Sequence, residues 1–177
     1  MGRHETVGIE PVGLMLKLRL LCLLLRCVLY GETLGVKGVW TIQEHDPDGN
    51  LLTEEVASNR VTASGRGLIW DIILGTQPTI AAVAIGSSSQ AVQDSDATLV
   101  TELSRWQITS MSRSGSIMTV RLFLGTTQAN GFTYREAGIF NGYPSGGVML
   151  NRITHPDRVK TSSKTLTYLI TLTLNSI

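Results

Sequence analysis

Residues 131–174 read G-F-T-Y-R-E-A-G-I-F-N-G-Y-P-S-G-G-V-M-L-N-R-I-T-H-P-D-R-V-K-T-S-S-K-T-L-T-Y-L-I-T-L-T-L, and the fold is decided here. Three strand-like runs are separated by two turn-rich gaps. Phe132, Tyr134, Ala137, Ile139 and Phe140 mark the first run, Val148 to Thr154 the second, and Leu166 to Leu174 the third. In the third, Leu166, Tyr168, Ile170, Leu172 and Leu174 face one way and Thr165, Thr167, Thr171 and Thr173 the other, with Leu169 the exception. That period of two, rich in β-branched residues, is what a half-buried strand requires. The gap Asn141 to Gly147 holds three glycines and a proline, which suits a hairpin loop.

The rest of the chain extends the same pattern. Val36, Val39, Trp40 and Ile42 lead into the turn Asp46-Pro47-Asp48-Gly49-Asn50, and Leu51 to Ala57 returns. The D-x-D-x-N spacing also suits the start of a calcium loop, but Ala57 stands where the distal Glu belongs, so a plain turn is expected. Ser64 to Gly75 reads as a short helix, with Ser64 as N-cap, Gly75 as terminator, and Leu68, Ile69, Ile72 and Ile73 on one face. Thr79 to Gly86 is nearly all apolar, as a central strand buried on both faces would be. Trp106 to Ser112 and Ile117 to Leu124 are expected to pair around Arg113–Ser116. About eight strands and one short helix make a mainly antiparallel β domain over 36–177, a small sandwich or a flattened barrel.

Residues 1–35 form a separate arm. Leu14 to Tyr30 is Leu-rich, favours a helix and stops at Gly31. A signal peptide is disfavoured, because only six apolar residues precede Arg26 and no A-x-A site follows. A spanning helix is disfavoured because Lys17, Arg19 and Arg26 interrupt the run. The favoured reading is an anchor that buries Leu16, Leu20, Leu21, Leu24, Leu25 and Val28 against another protein. A translated leader outside the working domain is a further reading. Cys22 and Cys27 lie ~140° apart around a helix, poorly placed to pair with each other, and read as small hydrophobes.

With 15 Lys and Arg against 14 Asp and Glu, the net charge is +1, which disfavours a duplex nucleic-acid partner. Charged residues make up 16%, below the ~25% of ordinary domains, and Thr, Ser and Gly replace them. Such a surface suits either an assembly subunit or a plain β domain. No G-x-S-x-G, H-E-x-x-H or C-x-x-C occurs, and G-R-G at 65–67 lacks the lysine of a phosphate loop. His45 and His155 adjoin Pro-containing turns and His4 lies in the arm, so all three read as surface residues. No catalytic residue, metal or cofactor is expected. Arg135 and Glu136 are adjacent in an apolar strand and therefore point to opposite faces. Glu136 reads either as a carboxylate paired with a basic residue, Arg152 being the candidate, next to Ala137-Gly138 where a second backbone can approach, or as an exposed strand charge.

R-E-A-G-I-F, a Gly-rich turn, V-M-L-N-R, K-T at 160–161 and a closing alternating strand resemble a domain of tail-fibre and related virion proteins of tailed bacteriophages. Upstream, Ile80 to Gly86 with Asp94, Asp96 and Leu99 is similar to another segment of that domain, so the resemblance spans about residues 36–177. It implies a structural role for Glu136, Arg135, Arg152, Gly138, Phe140 and Lys160. It also implies a non-enzymatic virion protein, first a peripheral tail component (fibre, baseplate or collar) and second a capsid decoration protein. The expected partners are further copies of the chain, as a trimer, and other virion proteins of the tail or shell, without nucleic acid or membrane. A glycan-binding or glycan-hydrolysing virion protein is the third class; hydrolysis would need two carboxylates across a cleft.

Overall fold

The structure, a computed structural model, describes residues 34–176. The Leu14–Tyr30 segment with its six candidate contact residues, His4 and both cysteines lie outside the described residues. The chain runs β1 (Leu34–His45), β2 (Leu51–Ser58), β3 (Arg60–Val61), α1 (Ala63–Leu74), β4 (Ala82–Gly86), β5 (Glu102–Gln107), β6 (Ser110–Ser114), β7 (Ile117–Leu124), β8 (Thr133–Phe140), β9 (Met149–Val159) and β10 (Thr165–Ser176). Sheet A has the order β2-β1-β10-β7-β6 and sheet B the order β3-β9-β8-β4-β5. The two antiparallel sheets make a sandwich, the first of the two expected forms, and not a flattened barrel. The expected eight or so strands are ten among the described residues.

The core lies between the inner faces. Trp40, Ile42, Val120, Leu122, Leu166, Tyr168 and Ile170 come from sheet A, and Val83, Ile85, Tyr134, Ala137, Ile139 and Ile153 from sheet B. Alternation in β10 is as the pattern requires: Leu166, Tyr168, Ile170 and Leu172 are buried. Thr167 departs from it, because this outward threonine is also buried and its cross-strand neighbour is Phe123. β4 is buried along its whole length between β5 and β8. The turn at 46–50 is held by the Asp46 carboxylate, which accepts from the Asn50 N–H and Nδ2 at 2.8 Å each, and Gly49 supplies φ +90°.

Three sequence expectations are corrected. Helix α1 is capped by Thr62, not Ser64: Thr62 Oγ1 accepts from the Gly65 N–H at 3.2 Å, while Ser64 lies inside the first turn. Gly75 closes α1 with φ 74°, as expected. Gly65 faces the Leu150 carbonyl so closely that a Cβ would overlap it, which lets α1 rest against β9. Trp106 to Ser112 is not one strand. The Ile108 N–H donates to Ala81 O at 3.0 Å in sheet B's ladder direction, and the next N–H, Thr109, donates to Arg121 O at 2.8 Å in sheet A. The chain therefore crosses between sheets at this dipeptide. Finally, His155-Pro156 sits within β9 and not in a turn. Pro156 is tolerated because the β8–β9 register shifts between Tyr134 and Glu136, so the ladder is interrupted near the missing N–H.

Candidate functional site

Glu136 is the hub of the outer face of sheet B. The strand places it opposite Thr154, and Gly138, two residues on, opposite Arg152. Both Glu136 and Arg152 side chains are fully buried, and Arg152 Nε donates to Glu136 Oε2 at 2.9 Å. Of the two readings of Glu136, the structure shows the buried pair with Arg152 and not the exposed charge. The carboxylate does more than pair. It accepts from the backbone N–H of Thr101 at 2.7 Å, Val100 at 3.1 Å and Ser88 at 3.4 Å. A carboxylate offers about four acceptor sites, so these donors and Arg152 together occupy it. Arg152 in turn reaches Asp96 Oδ2 at 2.8 Å and Gln90 O at 3.0 Å. Asp96 also accepts from the Gln93 N–H at 2.9 Å.

The whole loop from Ser87 to Thr101 is thus tied to two charged residues of the sheet beneath it. A small apolar cluster, Ala84, Leu99, Phe140 and Met149, fixes the end of the loop by burial. Gly138 is part of the fit: a Cβ there would stand 2.9 Å from Asn151 O and 3.2 Å from Leu99 Cδ2. Asp94 makes a bidentate contact to Arg66 of α1 at 2.8 and 2.9 Å. Both side chains are more than half exposed, so this pair contributes little.

Arg135 forms a bidentate pair with Asp157 at 2.7 and 2.9 Å and donates to Ser87 O at 3.3 Å. Phe140 lies under the Arg105 guanidinium, 3.8 Å from the ring centroid. Arg105 also donates to the carbonyls of Gly142 and Gly146, and so holds the Gly-rich loop. Lys160 is separate from the Glu136 hub. It is fully buried at the end of β9, where Nζ donates to Asn130 Oδ1 and Thr161 O at 2.9 Å each. Burial, and next the Lys164 charge, holds its ammonium below the usual lysine pKa.

Several contacts were not anticipated from sequence. Asp96 is the most important, and its loop position offered no periodic signal. Glu44 is buried on the inner side of β1 and meets Lys164 at 2.7 Å; its place in the Trp40, Ile42, Glu44 register was the available clue. Arg158 of β9 pairs with Glu55 of β2. His155, expected at the surface, is buried. Its Nδ1 lies 2.8 Å from Pro156 O and its Nε2 3.2 Å from the Tyr168 hydroxyl, an arrangement that joins the two sheets. With Nδ1–H donating to Pro156, Nε2 accepts from Tyr168.

Burial pushes the His155 pKa below its ordinary value. Arg158 adds to this, while the Pro156 carbonyl, Asp157 and Glu136 oppose it. A histidine kept neutral by folding binds fewer protons than in the unfolded chain, so its contribution is complete above the unfolded pKa near ~6.5 and is lost as pH falls below it. Melting measured at descending pH through that window should fall more steeply for the native chain than for His155→Gln. Parallel curves would show that His155 does not titrate with folding. Among the described residues no group of three His, Cys, Asp or Glu side chains is placed to hold a metal, and no helix is long and apolar enough to cross a membrane. Comparison of the chain with family models, with curated proteins and with solved structures finds no match.

Proposed function

We propose that the chain is a non-enzymatic structural protein of a tailed-phage particle, first a peripheral tail component and second a capsid decoration protein, that self-associates as a trimer. The observation that carries this reading is where the resembling motifs fall. Glu136, Gly138 and Phe140 from one motif, Arg152 from the next, and Asp96 and Leu99 from the upstream segment all meet around one buried network. Residues scattered over 56 positions of sequence thus serve one scaffold. Their polar groups are spent on internal bonds, which suits a structural role better than proton transfer, since a general acid or base must keep a position for its substrate. Exposed Leu51, Leu52, Val56, Trp70 and Leu74 support a surface partly covered by other subunits.

Gold-labelled antibody against the purified protein, applied to purified particles from its source, tests the reading. Label on tails supports the first placement, and label on shells moves the protein to the second. Particles that lack the protein altogether would overturn the virion role.

A further inference from the structure

Sheet A presents a face of unusual make-up on the side away from the core. Its hydroxyl residues include Ser110, Ser112, Thr119, Thr171 and Thr173, and the apolar Val56, Ile117 and Phe123 are exposed among them. Among the described residues, and apart from Lys37 at one end of β1, this face carries two formal charges, Glu54 on β2 and Arg121 on β7. Both lie toward the same end of the sheet. Gln43 is the register partner of Glu54 and donates to it at 2.7 Å; Leu169 is the register partner of Arg121; and Gln43, Leu169 and Arg121 line one shallow hollow.

Within one chain these charges do not meet. β1 and β10 lie between their strands, so three inter-strand steps separate them by about 14 Å. Arg121 has no carboxylate partner among the described residues; its guanidinium lies 5.1 Å from the centroid of the Phe123 ring. Rotation about an axis parallel to the strands preserves height. It also brings the β7 half of one copy against the β2 half of the next. One positive and one negative group toward the same end of opposite halves suit such a head-to-tail contact, and head-to-tail contacts form rings where the rotation closes.

We propose that the outer face of sheet A is the surface through which copies of this chain associate, the β7 half of one against the β2 half of the next, with Arg121 paired to the partner's Glu54. The inference rests on the self-association in the proposed function and gives it a location. Val56, Ile117 and Phe123 supply the apolar area, and the charge pair sets the order and handedness of the ring.

Charge reversal tests it. Light-scattering mass is measured for the native chain, Arg121→Glu, Glu54→Arg and the double reversal. The native chain should give a trimer. Each single reversal should weaken association more than about tenfold by setting like charges together, and the double reversal should restore it. Both side chains are exposed, so circular dichroism should be unchanged; if a reversal unfolds the chain, alanine at the two positions serves, where each single change should weaken association and the double should weaken it by less than the two losses combined. A native monomer at tens of micromolar would overturn both this contact and the self-association. A trimer indifferent to the single reversals would overturn the contact alone, and dissociation without restoration would overturn the pairing. Particle labelling reads the virion role independently.

Discussion

A Glu136→Ala protein should be less stable to urea than the native chain by about 3–5 kcal/mol, the range for removing one partner of a buried ion pair. Stability of a whole domain is only about 5–15 kcal/mol, so this single change would leave a marginal protein. The loss has two parts. Arg152 keeps one carboxylate, Asp96, but Nε loses its acceptor in a buried place. The N–H groups of Val100 and Thr101 lose theirs as well. A second variant separates the parts. Replacing a simple buried pair by two apolar residues is often nearly neutral. Here the combination Glu136→Leu with Arg152→Met should remain well below native stability, because the loop N–H groups are still unsatisfied. Amide exchange in residues 88–101 should accelerate in both variants. Full recovery in the double variant would mean that Glu136 and Arg152 matter only to each other.

Ile170→Ala should cost about 2–5 kcal/mol, since Ile170 is fully buried at the centre of β10 opposite Val120 and its loss leaves a cavity between the sheets. Thr171→Ala, one residue on, should change stability by about 0.5 kcal/mol or less. Thr171 lies on the outer face opposite Thr119, half-buried, and gives up no core volume. Urea midpoints with equal slopes measure both. Equal losses at the two positions would mean that β10 is covered on both sides, as Thr167 already is.

The sequence was most informative where periodicity and burial coincide. The alternation from Leu166 to Leu174 named the inner face of β10, and the apolar run to Gly86 named an interior strand. Glu136 and Arg152 could be linked because each charge interrupts an apolar strand, and burial leaves such a charge few options besides a partner. Asp96 carried no comparable signal, because a carboxylate in a polar loop has many alternatives and this one is set by a contact across 56 residues. The change of sheet at Ile108-Thr109 was hidden for a different reason. Local composition reads continuous strand there, and only the tertiary partners Ala81 and Arg121 reveal the break. Pro156 misled in the opposite direction, as a turn signal overridden by a register shift in the neighbouring strand. Ser64 and Thr62 are both good caps, and the choice between them depends on which residue adopts helical geometry first.

The position of β10 has a consequence for biosynthesis. It is the last described strand to leave the ribosome, yet it occupies the middle of sheet A between β1 and β7. Until it emerges, β1 with β2 and β7 with β6 are separate hairpins, and Trp40, Ile42, Val120 and Leu122 have no sheet to complete their cover. The nascent polypeptide therefore carries sticky, unpaired edges until β10 has emerged, the state in which β-rich chains are most vulnerable to misassociation. Completion of sheet A must await the emergence of β10, and a product that lacks β10 would be a substrate for chaperones and proteases rather than a shortened working subunit.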